Sequence, residues 1–140
     1  SIPTIRQYLR EHPEEQKEIL NHNIRYIFFN WAPDGDPMGS LGEPLVAGRS
    51  IAVDPYVLPQ TTLAFLISRK PVLDESGSIT KWIPMQRFVF PQDTGSAIKG
   101  SGRADLYWGS GHYAKVAAGN MKEEGSLFFM VKNKFEKLEK

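Results

Sequence analysis

From Ile24 to Val131 the apolar residues arrive in short runs, most of them closed by glycine, proline or an aspartate. Ile24–Trp31 is aromatic and β-branched. Arg49-Ser50-Ile51-Ala52-Val53 stops at Asp54-Pro55, and Thr61–Ser68, Ile79–Ile83, Gln86–Phe90 and Leu127–Val131 follow. Runs of this length and makeup read as strands. Pro55 biases Asp54 towards extended backbone, and Pro84 predicts a bend or an edge position between two of the runs. Many short strands at close spacing, with one late helix over His112–Lys122 stopped by Gly125, predict a mainly β chain. A small barrel fits that pattern better than a doubly wound sheet. At 140 residues the chain has room for one core.

Ahead of the strands lies a helical segment. Thr4-Ile5-Arg6-Gln7 has the form of a capping box, and Ile5, Tyr8 and Leu9 fall on one helical face. Pro13 ends that helix and can open a second, where Glu14 and Glu15 suit an N-terminus. Asn21 and Asn23 are stop signals. The expectation is a helical hairpin packed on the barrel.

The net charge of +1 gives no basic face for nucleic acid. With no cysteine there is no disulfide framework and no thiolate metal site. His12, His22 and His112 lack the spacing of a zinc site, so neither metal nor cofactor is expected. No apolar run reaches the roughly 18 residues of a membrane span.

Chemistry concentrates between Gln92 and Gly109. Asp93 follows the strand-like Phe88-Val89-Phe90, and Asp105 opens Leu106-Tyr107-Trp108. Two carboxylates at adjacent strand ends, joined by a loop holding Gly95, Gly100 and Gly102, suit an acid/base centre. Glycines let backbone approach a ligand closely. A general acid must start protonated, and apolar neighbours with a second carboxylate nearby favour that form. Aspartates capping the turns of a hairpin are the competing explanation. Gly95-Ser96-Ala97-Ile98-Lys99-Gly100 has the glycines of a phosphate loop, but Ser101 stands where its lysine must be. Gly109-Ser110-Gly111 lacks the outer glycines of a nucleophile elbow. It suits a turn into the helix, whose first N–H groups can meet an oxygen. Tyr107, Trp108 and Tyr113 suit either sugar stacking or core packing.

Taken in order, Gly48-Arg49-Ser50-Ile51-Ala52-Val53-Asp54, Gln92 through Gly100, Arg103 through Gly111, and Ala118-Gly119-Asn120-Met121-Lys122 closely resemble the catalytic part of the membrane-bound lytic murein transglycosylase A family. That part includes the family's three-aspartate, or 3D, domain. Ile5-Arg6-Gln7-Tyr8-Leu9 and Tyr26-Ile27-Phe28-Phe29 extend the likeness upstream. The resemblance implies a six-stranded double-psi β-barrel over residues 1–134, followed by a polar tail at 135–140. It implies cleavage of peptidoglycan between N-acetylmuramic acid and N-acetylglucosamine, leaving a 1,6-anhydro end, on the periplasmic side of the outer membrane. Asp54, Asp93 and Asp105 match the three aspartates. Asp105 takes the place of the acid/base and Asp93 that of its supporting partner.

Around them, Asp54, Gly95, Ser96, Ala97, Lys99, Tyr107, Gly109 and Ser110 are the expected substrate-binding positions. Lys99 and Arg103 can orient the loop or meet the peptide stem. Family members carry Pro-Leu-Gly where this chain has Pro59-Gln60-Thr61, a departure that falls in a loop. Two partners are implied: peptidoglycan glycan strands, and a long N-terminal half of the same enzyme, missing here, that completes the barrel and the groove. A non-catalytic wall-binding module and a hydrolase on the same barrel remain open alternatives.

Overall fold

A computed structural model describes residues 2–28 and 35–132, with side chains from residue 4. The chain divides into two compact units, Ser1–Pro33 and Asp34–Lys140.

The first unit is a helical hairpin. Helix α1 spans Ile2–Glu11 and α2 spans Gln16–Asn21. Pro3 falls in the first turn of α1, where a missing N–H costs nothing. Thr4 therefore lies inside the helix, and the capping box expected at Thr4–Gln7 does not start it. Pro13 closes α1 because its ring cannot continue a helix. The two helices are joined by side chains: Tyr8 Oη donates to Glu15 Oε2 at 2.9 Å and Gln16 Nε2 donates to the Leu9 carbonyl at 2.6 Å. Tyr8 stacks on His12 with ring centroids 4.3 Å apart. The Glu15 carboxylate that accepts the Tyr8 proton also raises the phenol above its ordinary pKa. Residues 24–28 form no helix or strand, and Ile24, Tyr26 and Phe28 are exposed. The strand expected over Ile24–Trp31 is not formed at residues 24–28, because no neighbouring strand takes up their backbone groups. Its last three residues lie outside the described region.

The second unit is a five-stranded sheet. Its strands are β1 (Ser50–Ala52), β2 (Ala64–Leu73), β3 (Ile79–Asp93), β4 (Asp105–Leu106) and β5 (Ser126–Phe129), in the order β4-β1-β3-β2-β5. Among the described residues only β1 and β3 pair in parallel. Helix α3, Gly111–Asn120, lies between β4 and β5 in the chain and buries Ala114 and Ala117. The long β2–β3 hairpin follows from its turn. Asp74 Oδ1 accepts from the Ser76 N–H at 2.9 Å, the Ser78 N–H at 2.9 Å and Ser76 Oγ at 2.6 Å. Gly77 supplies the left-handed residue at φ +80°.

Along β2 the sides alternate. Ala64, Leu66 and Ser68 are buried, while Ile67 and Arg69 face water. Ile51, Val53, Ala64, Leu66, Met85 and Val89 form the core, with Leu106, Trp108 and Phe129 packed against it. β3 continues straight through Pro84, which pairs in register with Arg69. The two short strands expected on either side of Pro84 are one strand of 15 residues.

Among the described residues the sheet is open. β4 and β5 stand at its two edges and do not pair with each other, so the closed six-stranded barrel is not formed. Closure needs a sheet whose ends meet in register, and edge strands of two and four residues supply little ladder for that.

Candidate active site

β1 is the hinge of the site. Its three residues are all buried, and its last, Ala52, has a strand partner on each side: Asp93, ending β3, and Asp105, opening β4. The two aspartates are therefore not on adjacent strands, as the sequence suggested. They lie two strands apart, with Cα atoms roughly 10 Å from each other at ordinary strand spacing. On the β3 side the register shifts between Ile51 and Ala52, whereas the β4 side pairs regularly. Both aspartates line one shallow cavity of about 230 Å³, together with Ser50, Thr94, Ile98 and Tyr107.

The two carboxylates are held differently. Asp93 Oδ1 accepts from the Ser40 N–H at 3.0 Å, and its carbonyl accepts from Val53 N–H at 3.1 Å. Asp105 pairs with Arg103 through two bonds: Nε to Oδ1 at 3.0 Å and Nη2 to Oδ2 at 3.0 Å. Its side chain is 49% exposed. The aromatic shielding expected from Tyr107 and Trp108 is thus not built, because Trp108 packs into the core and forms an edge contact with Tyr113 at 5.9 Å. The Asp105 hydrogen bonds and charge raise the Arg103 guanidinium above its already high pKa. Asp105 also borders a second, larger hollow of about 1040 Å³, walled by the apolar faces of Ile51, Leu66 and Leu127.

Asp54 is buried and acts on backbone. Its Oδ2 accepts the Gly100 N–H at 2.8 Å and its Oδ1 the Tyr56 N–H at 3.1 Å. These two bonds, Gly100 first, lower its pKa. The strand that carries Ala52 is thereby clamped to the glycine-rich loop at 94–104. Within that loop Ile98 is buried, its N–H donates to the Gly95 carbonyl at 2.9 Å, and Ala97 offers its carbonyl to Arg103 Nη1 at 2.9 Å.

The remaining expected positions spread out. Tyr107 is half-buried, and its backbone bonds to Ser50 and Gly48. Ser96 is exposed on the loop. Lys99 Nζ lies 5.6 Å from the exposed Tyr56 ring, away from both carboxylates' cavity. Gly109 adopts φ +89°, and a Cβ there would come 2.8 Å from Ala47 Cβ. Ser110 occupies the N-cap of α3 without a capping hydrogen bond. Neither cavity includes Gly95, Ser96, Ala97, Lys99, Gly109 or Ser110.

Sequence alone missed Ser40, which lies 53 positions before its Asp93 partner. It also missed the bidentate pairing of Arg103, although a two-residue spacing in extended chain puts both side chains on one side. One group of three metal-capable side chains, His12, Glu14 and Glu15, meets among the described residues with ligand atoms within 4.8 Å. It lies on the surface of the helical hairpin, where His12 Nδ1 is 3.6 Å from Glu14 and 3.8 Å from Glu15.

Residues 49–131 match the model of the 3D domain, and residues 1–30 match that of the MltA specific insert domain. Membrane-bound lytic murein transglycosylase A of Escherichia coli K12 is 30% identical over 131 residues, covering 93% of this chain. The chain belongs to the membrane-bound lytic murein transglycosylase A family. Among solved members of this family, MltA from Neisseria gonorrhoeae superposes with TM-score 0.77 at 33% identity, covering 97% of this chain and 33% of that one. The lytic transglycosylase LtgG of Burkholderia pseudomallei is 40% identical, with TM-score 0.61, over 92% of this chain and 37% of that one. E. coli MltA solved with bound chitohexaose gives TM-score 0.64 at 28% identity, over 92% of this chain and 38% of that one. The chain spans about 35% of the length of the E. coli relative.

Proposed function

We propose that this chain carries the acid/base half of a peptidoglycan lytic transglycosylase, with Asp105 as the reacting group. The observation that carries the proposal is the placement of Asp105: open to solvent, across Ala52 from Asp93, at the rim of two cavities. The family's relatives named lytic murein transglycosylase, and the E. coli structure holding a β-1,4-linked N-acetylglucosamine oligomer, support glycan as the substrate.

A hydrolase working on such a strand uses two carboxylates on either side of the bond. Lytic cleavage can use one, because the attacking group is the sugar's own C6 hydroxyl. Such intramolecular attack supplies roughly 7–11 kcal/mol at best. Asp105 gives its proton to the bridging oxygen, and the C1–O bond breaks with its electron pair on the departing N-acetylglucosamine. The C6 oxygen then bonds to C1, and Asp105 takes back the hydroxyl proton. Atoms balance with no water consumed. Asp93, across Ala52, faces the positive charge that develops at C1. Asp54 holds the loop, while Gly95, Ser96, Ala97, Lys99, Tyr107, Gly109 and Ser110 contact the strand or shape its path. In the complete enzyme, residues of the longer protein close the open sheet into a barrel and form the second wall of the groove. The enzyme works from the periplasmic side of the outer membrane, as the relatives' membrane-bound naming suggests.

The test is Asp105→Asn in the full-length protein on purified sacculi. Anhydro-muropeptide release should fall roughly 10²- to 10⁴-fold, as for loss of a general acid/base. Undiminished release would remove Asp105 from the chemistry. Products one water heavier would identify a hydrolase, and strand capture without new ends a binding module.

A further inference from the structure

We infer that Arg103 is a positioning residue for the Asp105 carboxyl group. It fixes the direction of that group and holds it between giving up one proton and taking another. The acid/base role of Asp105, on which this rests, is the one proposed above.

Three hydrogen bonds carry the inference. Arg103 Nε and Nη2 grip Oδ1 and Oδ2 of Asp105, each at 3.0 Å, and Nη1 reaches the Ala97 carbonyl at 2.9 Å. The first two make a planar fork matched to a carboxylate. The third ties that fork to loop backbone, so the guanidinium is held from both ends. The loop is itself fixed: Gly100 donates to buried Asp54, and Ile98 is buried. A continuous set of contacts therefore runs from Asp54 through the loop to Arg103 and on to Asp105.

Without that grip, a half-exposed aspartate on a two-residue edge strand would rotate freely. Exposed ion pairs add little to stability, so a fork anchored to the backbone points to orientation. In the protonated acid, one Asp105 oxygen carries the proton, free of Arg103, and delivers it to the glycosidic oxygen. Arg103 stays on the Ala97 carbonyl and keeps a bond to the other oxygen. The carboxylate left behind is then in place to accept the proton of the C6 hydroxyl. Lysine cannot substitute, since an ammonium is a point charge with no fork.

The experiment measures kcat and KM for anhydro-product formation by the full-length enzyme carrying Arg103→Ala or Arg103→Lys. Both should lose kcat on the order of 100-fold, the effect of a misplaced reacting group, with KM little changed. Guanidinium ion, kept well below unfolding concentrations, should restore part of the Arg103→Ala loss, and sodium at equal ionic strength should not. Wild-type kcat in either variant, a loss confined to KM, or no recovery with guanidinium would each overturn the inference. Arg103→Lys keeps the test alive if the alanine variant fails to fold. Asp105→Asn in the same assay separates the two claims. If that variant is active, the acid/base proposal fails. If it is inactive while Arg103→Ala is fully active, only the role of Arg103 fails.

Discussion

Thr61 sits at φ +62°, a left-handed conformation that β-branched residues avoid. It stands where the family's Pro-Leu-Gly pattern has glycine. Its N–H donates to the Pro91 carbonyl at 3.2 Å, and its neighbour Gln60 reaches Ser40, the residue on Asp93. The conformation is kept because the loop is pinned from β3. Thr61→Gly should therefore raise stability by about 1 kcal/mol, the strain relieved less glycine's added chain entropy, as read from the urea midpoint. Asp54 gives a pH prediction with a definite sign. Its folded pKa is lowered by the Gly100 and Tyr56 N–H groups, so its contribution is present above the unfolded aspartate value of about 3.9. That contribution is lost as pH falls through the lower folded value. Asp74, lowered first by the Ser76 hydroxyl, acts in the same direction. Asp54→Asn should flatten part of the acid limb of a stability–pH curve and leave the Asp74 part. An unchanged limb would remove Asp54 as a clamp. The three aspartates themselves were legible from their motifs, whereas Ser40 was not, since only the folded chain brings it to Asp93.

β1 has three residues yet supports both neighbouring carboxylate-bearing strands. Ile51 at its centre is 1% exposed and lies in the core. Ile51→Ala should cost about 2–5 kcal/mol, the range for emptying a well-packed site, measured by denaturant unfolding. The same change should disturb the spacing of Asp93 and Asp105 through β1. In β3, of the bend or edge position expected at Pro84, which lacks an N–H, the edge position is the one that forms. Among the described residues β1 meets β3 only from Phe90 onward. Pro84 therefore lies where one edge of β3 is unpaired, and a strand tolerates proline there. Helix α3 was readable in place, although it ends at Asn120 with Met121 as its cap, ahead of the Gly125 expected to stop it. The partners of β1 were not, since pairing across some forty residues to β3 and more than fifty to β4 leaves no local mark.

For the molecule as a whole, the sheet that forms the core on one face carries an aromatic row on the other. Phe88, Phe65 and Phe128 stand in register across β3, β2 and β5, with Phe88 49% and Phe128 52% exposed. Contiguous apolar surface of this kind binds hydrophobic dyes. The 140-residue chain on its own should enhance anilinonaphthalene sulfonate fluorescence, and Phe88→Ser with Phe128→Ser should reduce it. No enhancement in the unsubstituted chain would mean that the row is covered. The mainly β class was readable from strand spacing, and barrel closure was not, because closure depends on edges meeting across the sheet.

An alanine, the smallest side chain with a Cβ, is what separates the two acids. β1 pairs on both sides, with β4 and, across a register shift at Ile51/Ala52, with β3, so no rotamer change at either aspartate alters its width. A bulkier residue at position 52, which is buried, would press on its neighbours. The cavity of about 230 Å³ that both acids line would narrow with it.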